Sequence, residues 1–424
     1  MTTLLLFLGT ILLLIGIHEG GHFLAAKLLG VAVEEFAIGF GPTLWSRRRG
    51  ETRYSLRLLP LGGFVRLAGE EGSADQVDFA RTYYGRPAWV RLTVSLAGPV
   101  ANLVLAAVLA TGALAGFGLP RVQVAGVASD APADQVLQVG DVVLAVGGRP
   151  IWSWEEVGGA IQAGAPGPVS FRVRRQGKVQ VLEITPEWEA AEERYLVGAY
   201  FSPQVLLAEV TDLAADAPLR GAGLEAGDRV VAACDRPVAT LAELYGELDE
   251  GCRTLQVERG GRTLTVELPP TSTDALLTGA TFAALPPAVD RPGVATAATL
   301  AARQLAGYFV ALFATLQDLV SGQVAAGEAV AGPVGIAGLL GQGLRAGGLA
   351  TLLLIAFISM NLAAFNLIPF PALDGARMGF ALYEIVTRRK VSPRVEAAVH
   401  ALGFAVLLGL LVLITYRDLV RLFG

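Results

Sequence analysis

A stretch of apolar sequence as long as a bilayer is thick, with two histidines and a glutamate inside it, leaves few folds open to this chain. Residues 3 to 26 read TLLLFLGTILLLIGIHEGGHFLAA and carry no charge before Glu19. That length meets the roughly 20 apolar residues needed to cross a hydrocarbon core of about 30 Å. In lipid the backbone must satisfy its own hydrogen bonds, so such a run is helical. Comparable runs lie at 93 to 116, 349 to 369 and 396 to 416. The chain therefore reads as a polytopic α-helical membrane protein with about four transmembrane helices. Only 17% of its residues are charged, against roughly 25% in soluble domains. A net charge of -5 with no Lys/Arg-rich tract leaves nucleic-acid binding without an electrostatic footprint. Met1 to Ile17 resembles the apolar part of a signal peptide. It lacks a basic leader, however, and a cleaved signal would not carry His18, Glu19 and His22, so it reads as a retained helix.

Sidedness follows from the connections. The first, 27 to 92, contains Lys27 and nine arginines, and the third contains Arg377, Arg388, Arg389, Lys390 and Arg394. Positive connections stay cytoplasmic, which places the middle of the chain outside the cytoplasm. The C-terminus falls outside as well, although Arg417 and Arg421 argue mildly against it. A fifth apolar run, Leu305 to Leu316, sits between Arg303 and Asp318 and is short for a span. Residues 296 to 322 read as an amphipathic helix on the membrane surface, with entry into the bilayer as the alternative. The Gly-rich stretch 331 to 344 is equally ambiguous.

The polar groups of the first run have a chemistry of their own. Residues four apart share a helix face, so His18 and His22 project together and can take two positions of a tetrahedral zinc. Glu19 is then placed to take a proton from an attacking water. A carboxylate within a span costs on the order of 2.5 to 3.5 kcal/mol on insertion scales, which argues against an accidental H-E-x-x-H. A catalytic zinc needs a third protein ligand. His400, the remaining histidine, opens the last run with no second ligand nearby and reads as a polar helix-end residue. Asp374, in NLIPFPALDG, is the better candidate, because Pro369 and Pro371 break the third run just before it. The alternative is that the prolines end the span and Asp374 with Gly375 makes a turn among headgroups.

HEGGH in a first span, AGPVAN at 97 to 102 in a second and NLIPFPALDG in a later one resemble the site-2 protease family of intramembrane zinc metalloproteases, in its bacterial branch with two PDZ modules. The likeness covers essentially the whole chain. It implies His18, His22 and Asp374 as Zn²⁺ ligands, Glu19 as general acid and base, and Asn366 as a contact to the substrate backbone. Gly20 and Gly21 stand in a window often written H-E-x-G-H, so the second glycine is kept. The family has a loop thought to pair with an unwound substrate by strand addition. Here YSLRLLPLGGFVRL, 54 to 67, alternates and breaks at Gly62 and Gly63 like a β-hairpin, a plain cytoplasmic hairpin being the alternative. Asn102 is either packing between helices or a group near the active site. The candidate substrate contacts are thus Asn366, Asn102, Gly62, Gly63, Pro369 and Pro371.

The middle contains one module twice. DAPADQVLQVGDVVLAVGGRP, 130 to 150, and DAPLRGAGLEAGDRVVAACDRP, 216 to 237, align from D-A-P through G-D-x-V to R-P. Each continues into a short helix (Trp154 to Gln162; Leu241 to Leu248) and two strands (169 to 184; 253 to 268), a pattern that resembles a PDZ domain. Neither copy shows a clear G-L-G-F loop, so capture of free C-termini is in doubt, and access control is as good a reading as peptide recognition. Cys234 and Cys252 could pair on an oxidising side, though number and spacing do not decide it and do not suit a metal site.

The expected organisation is a membrane part at 1–118, two tandem extracytoplasmic PDZ-like α+β domains at 119–200 and 201–290, surface helices at 291–348 and a second membrane part at 349–424. The expected activity is hydrolysis of peptide bonds in or near the membrane segment of single-span proteins, in the inner (plasma) membrane. By resemblance the targets are membrane-anchored anti-sigma factors and remnant signal peptides, with the lipid bilayer as the other partner. The rivals are a catalytically silent PDZ scaffold and a conductor using intramembrane Glu and Asp. A conductor needs no i, i+4 histidine pair, and a scaffold needs no third ligand.

Overall fold

The computed structural model describes residues 2–69, 78–190, 192–285, 287–321 and 332–423. Two compact units emerge, one made of 1–117 with 291–424 and the other of 118–290.

In the first unit, α1 (Thr2–Leu28) carries the H-E-x-x-H residues and ends where Gly30 takes a left-handed φ of 73°. Strands β1 (Val33–Arg49) and β2 (Thr52–Leu67) follow, joined at Gly50 and Glu51. The turn is therefore not at Gly62 and Gly63, as the alternation of 54 to 67 had implied. Instead, β1 is flanked twice by β2: Phe36 is opposite both Val65 and Tyr54, and Ala37 opposite both Phe64 and Ser55. Residues 33–38 thus lie between 63–67 and 53–56. Next comes α2 (Ala88–Phe117), which closes on α1 because both surfaces are small there. A Cβ at Gly21 would collide with the backbone carbonyl of Ala97 and the Cβ of Ala101.

The unit resumes with helix Val294–Ser321, then helices Pro333–Ala346, Gly348–Leu367, Asp374–Thr387 and Pro393–Phe423. Phe7, Leu14, Leu340 and Ile355 form an apolar core shared by α1 and the Pro333 and Gly348 helices. The ambiguous stretch 331 to 344 is helical from Pro333, residue 331 lying outside the described residues. Five helices, rather than four, are long and apolar enough to cross a membrane among the described residues. The added one is Val294–Thr315. Counting from Arg303 had hidden its first turns, VATAATLAA, which lengthen the apolar run. Residue 322, where the surface helix was expected to end, is outside the described residues. Buried Arg91 of α2 and half-buried Glu384 of the Asp374 helix form an ion pair, with the guanidinium 6.0 and 5.8 Å from the rings of Tyr83 and Tyr84.

The second unit repeats one topology. In the first copy, strand Ala199–Ser202 pairs with Gln123–Val127, followed across the sheet by Val142–Val146, Val169–Arg175 and Lys178–Ile184. In the second, Ala280–Ala284 pairs with Leu206–Leu213, followed by Arg229–Ala233, Thr254–Arg259 and Arg262–Glu267. Helices Glu155–Gly164 and Leu241–Asp249 occupy equivalent places. The first copy runs to Ser202, two residues past the boundary drawn at 200, because its last strand completes the sheet. The repeated G-D explains itself as a buried ion pair: Asp141 accepts from Arg175 at 2.6 and 2.8 Å, and Asp228 from Arg259 at 2.6 and 2.7 Å. Burial pushes the Asp228 carboxyl up, but hydrogen bonds from Arg259 and the Glu225 amide hold it below its ordinary value. Cys234 and Cys252 form a disulfide with Cα atoms 5.7 Å apart. The unit's two ends are fastened together: 119–120 pairs with 289–290, Asp290 binds Arg174 at 2.9 Å and Arg121 at 3.7 Å, and Arg121 lies 4.2 Å from the Trp152 ring.

Candidate metal centre

The broken helix anticipated at Asp374 is present, and its construction follows from local sequence. Pro369 excludes the helical region for the residue before it, and Ile368 is accordingly extended, with φ -68° and ψ 133°, where helix Gly348–Leu367 stops. The chain turns through Ala372, whose φ is 78°, and restarts as a helix at Asp374. Gly375 allows that restart to fold back, since a Cβ there would overlap the carbonyl of Ile368. His400 lies near this site without supplying a ligand atom to it. Its Nδ1 accepts the Ala372 amide at 3.1 Å and so holds the loop.

This loop brings Asp374 to the two histidines of α1. His18 Nε2 is 3.0 Å and His22 Nε2 3.2 Å from Asp374 Oδ2, and the two imidazole nitrogens are 3.3 Å apart. Zinc bonded at about 2.0 to 2.1 Å in a tetrahedron separates its ligand atoms by about 3.3 Å. The three side chains therefore fit one zinc ion, and their donor set of two imidazoles and a carboxylate is that of a catalytic site with a fourth position left for water. Both imidazoles are oriented from behind. His22 Nδ1 donates to the Val94 carbonyl at 2.7 Å, and His18 Nδ1 is 3.3 Å from the Asn102 amide. Asn102 Nδ2 is the atom facing the ring, and its Oδ1 is buried without a partner among the described residues; a half-turn of the amide would let Oδ1 accept the Nδ1 proton and leave Nε2 for the metal. Gly98 is the third requirement from α2: a Cβ would overlap His22 Nε2.

A cavity of about 230 Å³ opens beside these ligands, lined by Glu19, Tyr83, Ser95, Asn366, Arg377 and the β2 residues Phe64, Val65 and Leu67 among others. Glu19 thus shares one space with the metal-ligand atoms, as its place in the motif requires. Asn366 is on the wall, its Nδ2 donating to the Leu362 carbonyl at 2.9 Å. Gly63 lets β2 pack on β1 and α1 beside the glutamate, because a Cβ there would lie 2.9 Å from the Ala37 carbonyl and 3.2 Å from Ile15 Cγ2. Gly62 packs under the Phe40 ring.

Of the six expected substrate contacts, Asn366 lines the cavity, Gly62 and Gly63 lie in the strand beside it, and the other three are placed elsewhere. Asn102 is fully buried behind His18, its main-chain carbonyl accepting Ser359 Oγ at 2.9 Å. Pro369 and Pro371 are absent from the cavity lining, and Pro371 packs on Gly403 of the last helix. Beneath the cavity edge, Glu35 accepts Ser55 Oγ at 2.6 Å and Arg57 at 2.8 Å. Burial pushes this carboxyl up, but Ser55, Arg57 and Arg66 hold it below its ordinary value. Arg57 and Arg66 lie 4.9 and 5.6 Å from the ring of Phe64, fixing the edge that faces the metal ligands. Sequence reasoning missed Gly98, Val94 and Glu35, since a backbone acceptor and a close approach leave no signature of residue type.

Asn102→Leu is expected to lower zinc affinity about 10- to 100-fold, the usual cost of losing the partner of a ligating histidine. Competition against a chromophoric chelator measures it, and an unchanged affinity would remove Asn102 from the support of His18.

A profile of Peptidase family M50 matches residues 6–410. The zinc metalloprotease RasP of Shouchella clausii is 27% identical, with 100% of both chains covered. Provisionally named zinc metalloproteases of Treponema pallidum and Neisseria meningitidis are 30% and 29% identical, over 92% and 100% of each chain respectively. Among solved structures, the PDZ domain of an SdrC-like protein from Listeria monocytogenes matches 19% of this chain and 87% of its own, at 22% identity and a TM-score of 0.18.

Proposed function

The chain belongs to peptidase family M50 and is a zinc metalloprotease, and from that premise we propose that it cleaves single-span membrane proteins within or near their membrane segment. The reading rests on one observation: three zinc-ligand atoms, the glutamate of the motif and a sheet edge all border one cavity among helices long enough to cross a bilayer. His18, His22 and Asp374 would hold the zinc, which when bound polarises the scissile carbonyl and acidifies water. Glu19 accepts the proton of the attacking water and delivers it to the leaving amine. Among the described residues, strand residues 63–67 pair on one flank only, with 33–38, while Phe64, Val65 and Leu67 border the cavity. An extended substrate adds there as a further strand, which exposes its peptide bond to Glu19, and Asn366 meets the substrate backbone from the opposite wall.

The Arg-rich first connection keeps the β1–β2 turn at the cytoplasmic face and the 118–290 unit outside, in a multi-pass inner membrane protein. That unit limits which ectodomains reach the cavity. The substrates are then proteins already trimmed by an earlier cut, such as membrane-anchored anti-sigma factors and remnant signal peptides. The test is cleavage of a single-span reporter in detergent, with a full or a trimmed ectodomain, by the whole protein and by a form with 121–289 replaced by a short linker. The whole protein is expected to cut the trimmed reporter alone, and the shortened form both. An unchanged substrate range would refute access control, and loss of all cutting on both reporters would refute the protease reading for this substrate class.

A further inference from the structure

The edge of the β1–β2 sheet away from residues 63–67, made by 44–49, is exposed on both faces. Leu44 is 61%, Trp45 56% and Leu56 46% exposed. Beyond them toward the turn stand Arg47, Arg48, Arg49 and Arg53, all exposed, and none has an acidic partner among the described residues. Arg48 and Arg53 are directly opposite one another across the strands. Like charges in that position repel, so the arrangement is relieved by an anion between them.

The height of this cluster is set by an ion pair. Glu51, in the turn, binds Lys27 Nζ at 2.6 Å and Arg81 at 2.7 Å, and Lys27 is in the last turn of α1. The hydrogen bond from Lys27, aided by Arg81, also holds the Glu51 carboxyl below its ordinary value, so the one acid in the turn is neutralised. The turn is therefore level with the point where α1 leaves the hydrocarbon. Gly63, farther along the strands, is beside Ile15 and Glu19, from which a Cβ there would lie 3.2 and 3.4 Å; that level is about 12 Å deeper at 1.5 Å per residue. Trp45 and Leu56, paired across the strands and in register with Ile38 and Gly63, fall near that deeper level, where their exposed apolar side chains suit hydrocarbon.

We propose that Arg47, Arg48, Arg49 and Arg53 form a binding surface for the phosphates of anionic lipid headgroups, in the leaflet where α1 ends, with Trp45 and Leu56 as its apolar footing. Guanidinium groups suit phosphate through paired, charge-assisted hydrogen bonds. The inference is independent of the catalytic reading.

The experiment uses the full chain in nanodiscs of zwitterionic phosphatidylcholine containing either brominated phosphatidylglycerol or brominated phosphatidylcholine at equal fraction. Trp45 emission is taken as the difference between the protein and its Trp45→Phe variant. Quenching by the anionic lipid is expected to exceed that by the zwitterionic one, and each Arg→Gln change to lower the preference about fivefold. Arg47→Gln, Arg48→Gln, Arg49→Gln and Arg53→Gln together should abolish it with zinc content unchanged, while the four matching lysine substitutions keep it. Equal quenching by both lipids in the unaltered protein overturns the proposal, as does a preference that survives the fourfold glutamine variant or vanishes in the lysine one. Competition by inorganic phosphate, at ionic strength matched with chloride, would assign the arginines to a soluble anion and overturn it too.

Discussion

Glu19→Gln is expected to lower reporter cleavage by about 100- to 10,000-fold, the range that a positioned proton-transfer group supplies. The amide has nearly the shape of the carboxylate, so the cavity and the approach of Gly63 are preserved. Zinc content should be unchanged, because the atoms proposed to hold the metal belong to His18, His22 and Asp374. That pairing separates loss of proton transfer from loss of metal. Undiminished cleavage at equal zinc would move the proton transfer to another group, or point to a contaminating protease.

Asp374→Ala should act in the opposite order, on the metal first. It removes the carboxylate oxygen that lies 3.0 and 3.2 Å from the two imidazole nitrogens and leaves only two protein ligands. Losing a mere partner of a ligand costs about 10- to 100-fold in affinity, so losing the ligand itself should exceed about 100-fold. Zinc per chain after dialysis against a weak chelator is the measurement, and full retention would exclude Asp374 from the site. The fold should survive, since the Asp374 helix is also held to α2 by the Arg91–Glu384 pair.

These residues differ in how openly the chain announces them. His18, Glu19 and His22 are legible because their spacing is that of one helix face and their polarity is out of place in lipid. Asp374 was visible only as a carboxylate after two prolines, with a headgroup turn still open, until the family likeness chose between them. Nothing in AGPVAN reveals that Gly98 makes room for His22 or that Val94 offers a carbonyl, because both contributions are made by backbone. The β-sheet was misdrawn for a related reason. Alternation in 54 to 67 shows that the segment is extended but not where it turns, and the turn at Gly50 and Glu51 is held by Lys27 and Arg81 from outside the strands. The tandem modules are legible as a repeat because each needs a glycine with a φ near 90° followed by a buried aspartate that binds an arginine.

The fastening of 119–120 to 289–290 has a consequence for how such a chain could be assembled. A domain whose entry and exit are adjacent can be spliced into a loop without separating the ends of its host. Closing a loop of that size costs entropy that grows only slowly with its length, and the paired strands with Arg121 and Asp290 make the closure themselves. The 118–290 unit is thus a cassette whose entry and exit strands are paired with each other, and modules could be gained or lost beyond that joint while the pairing is kept.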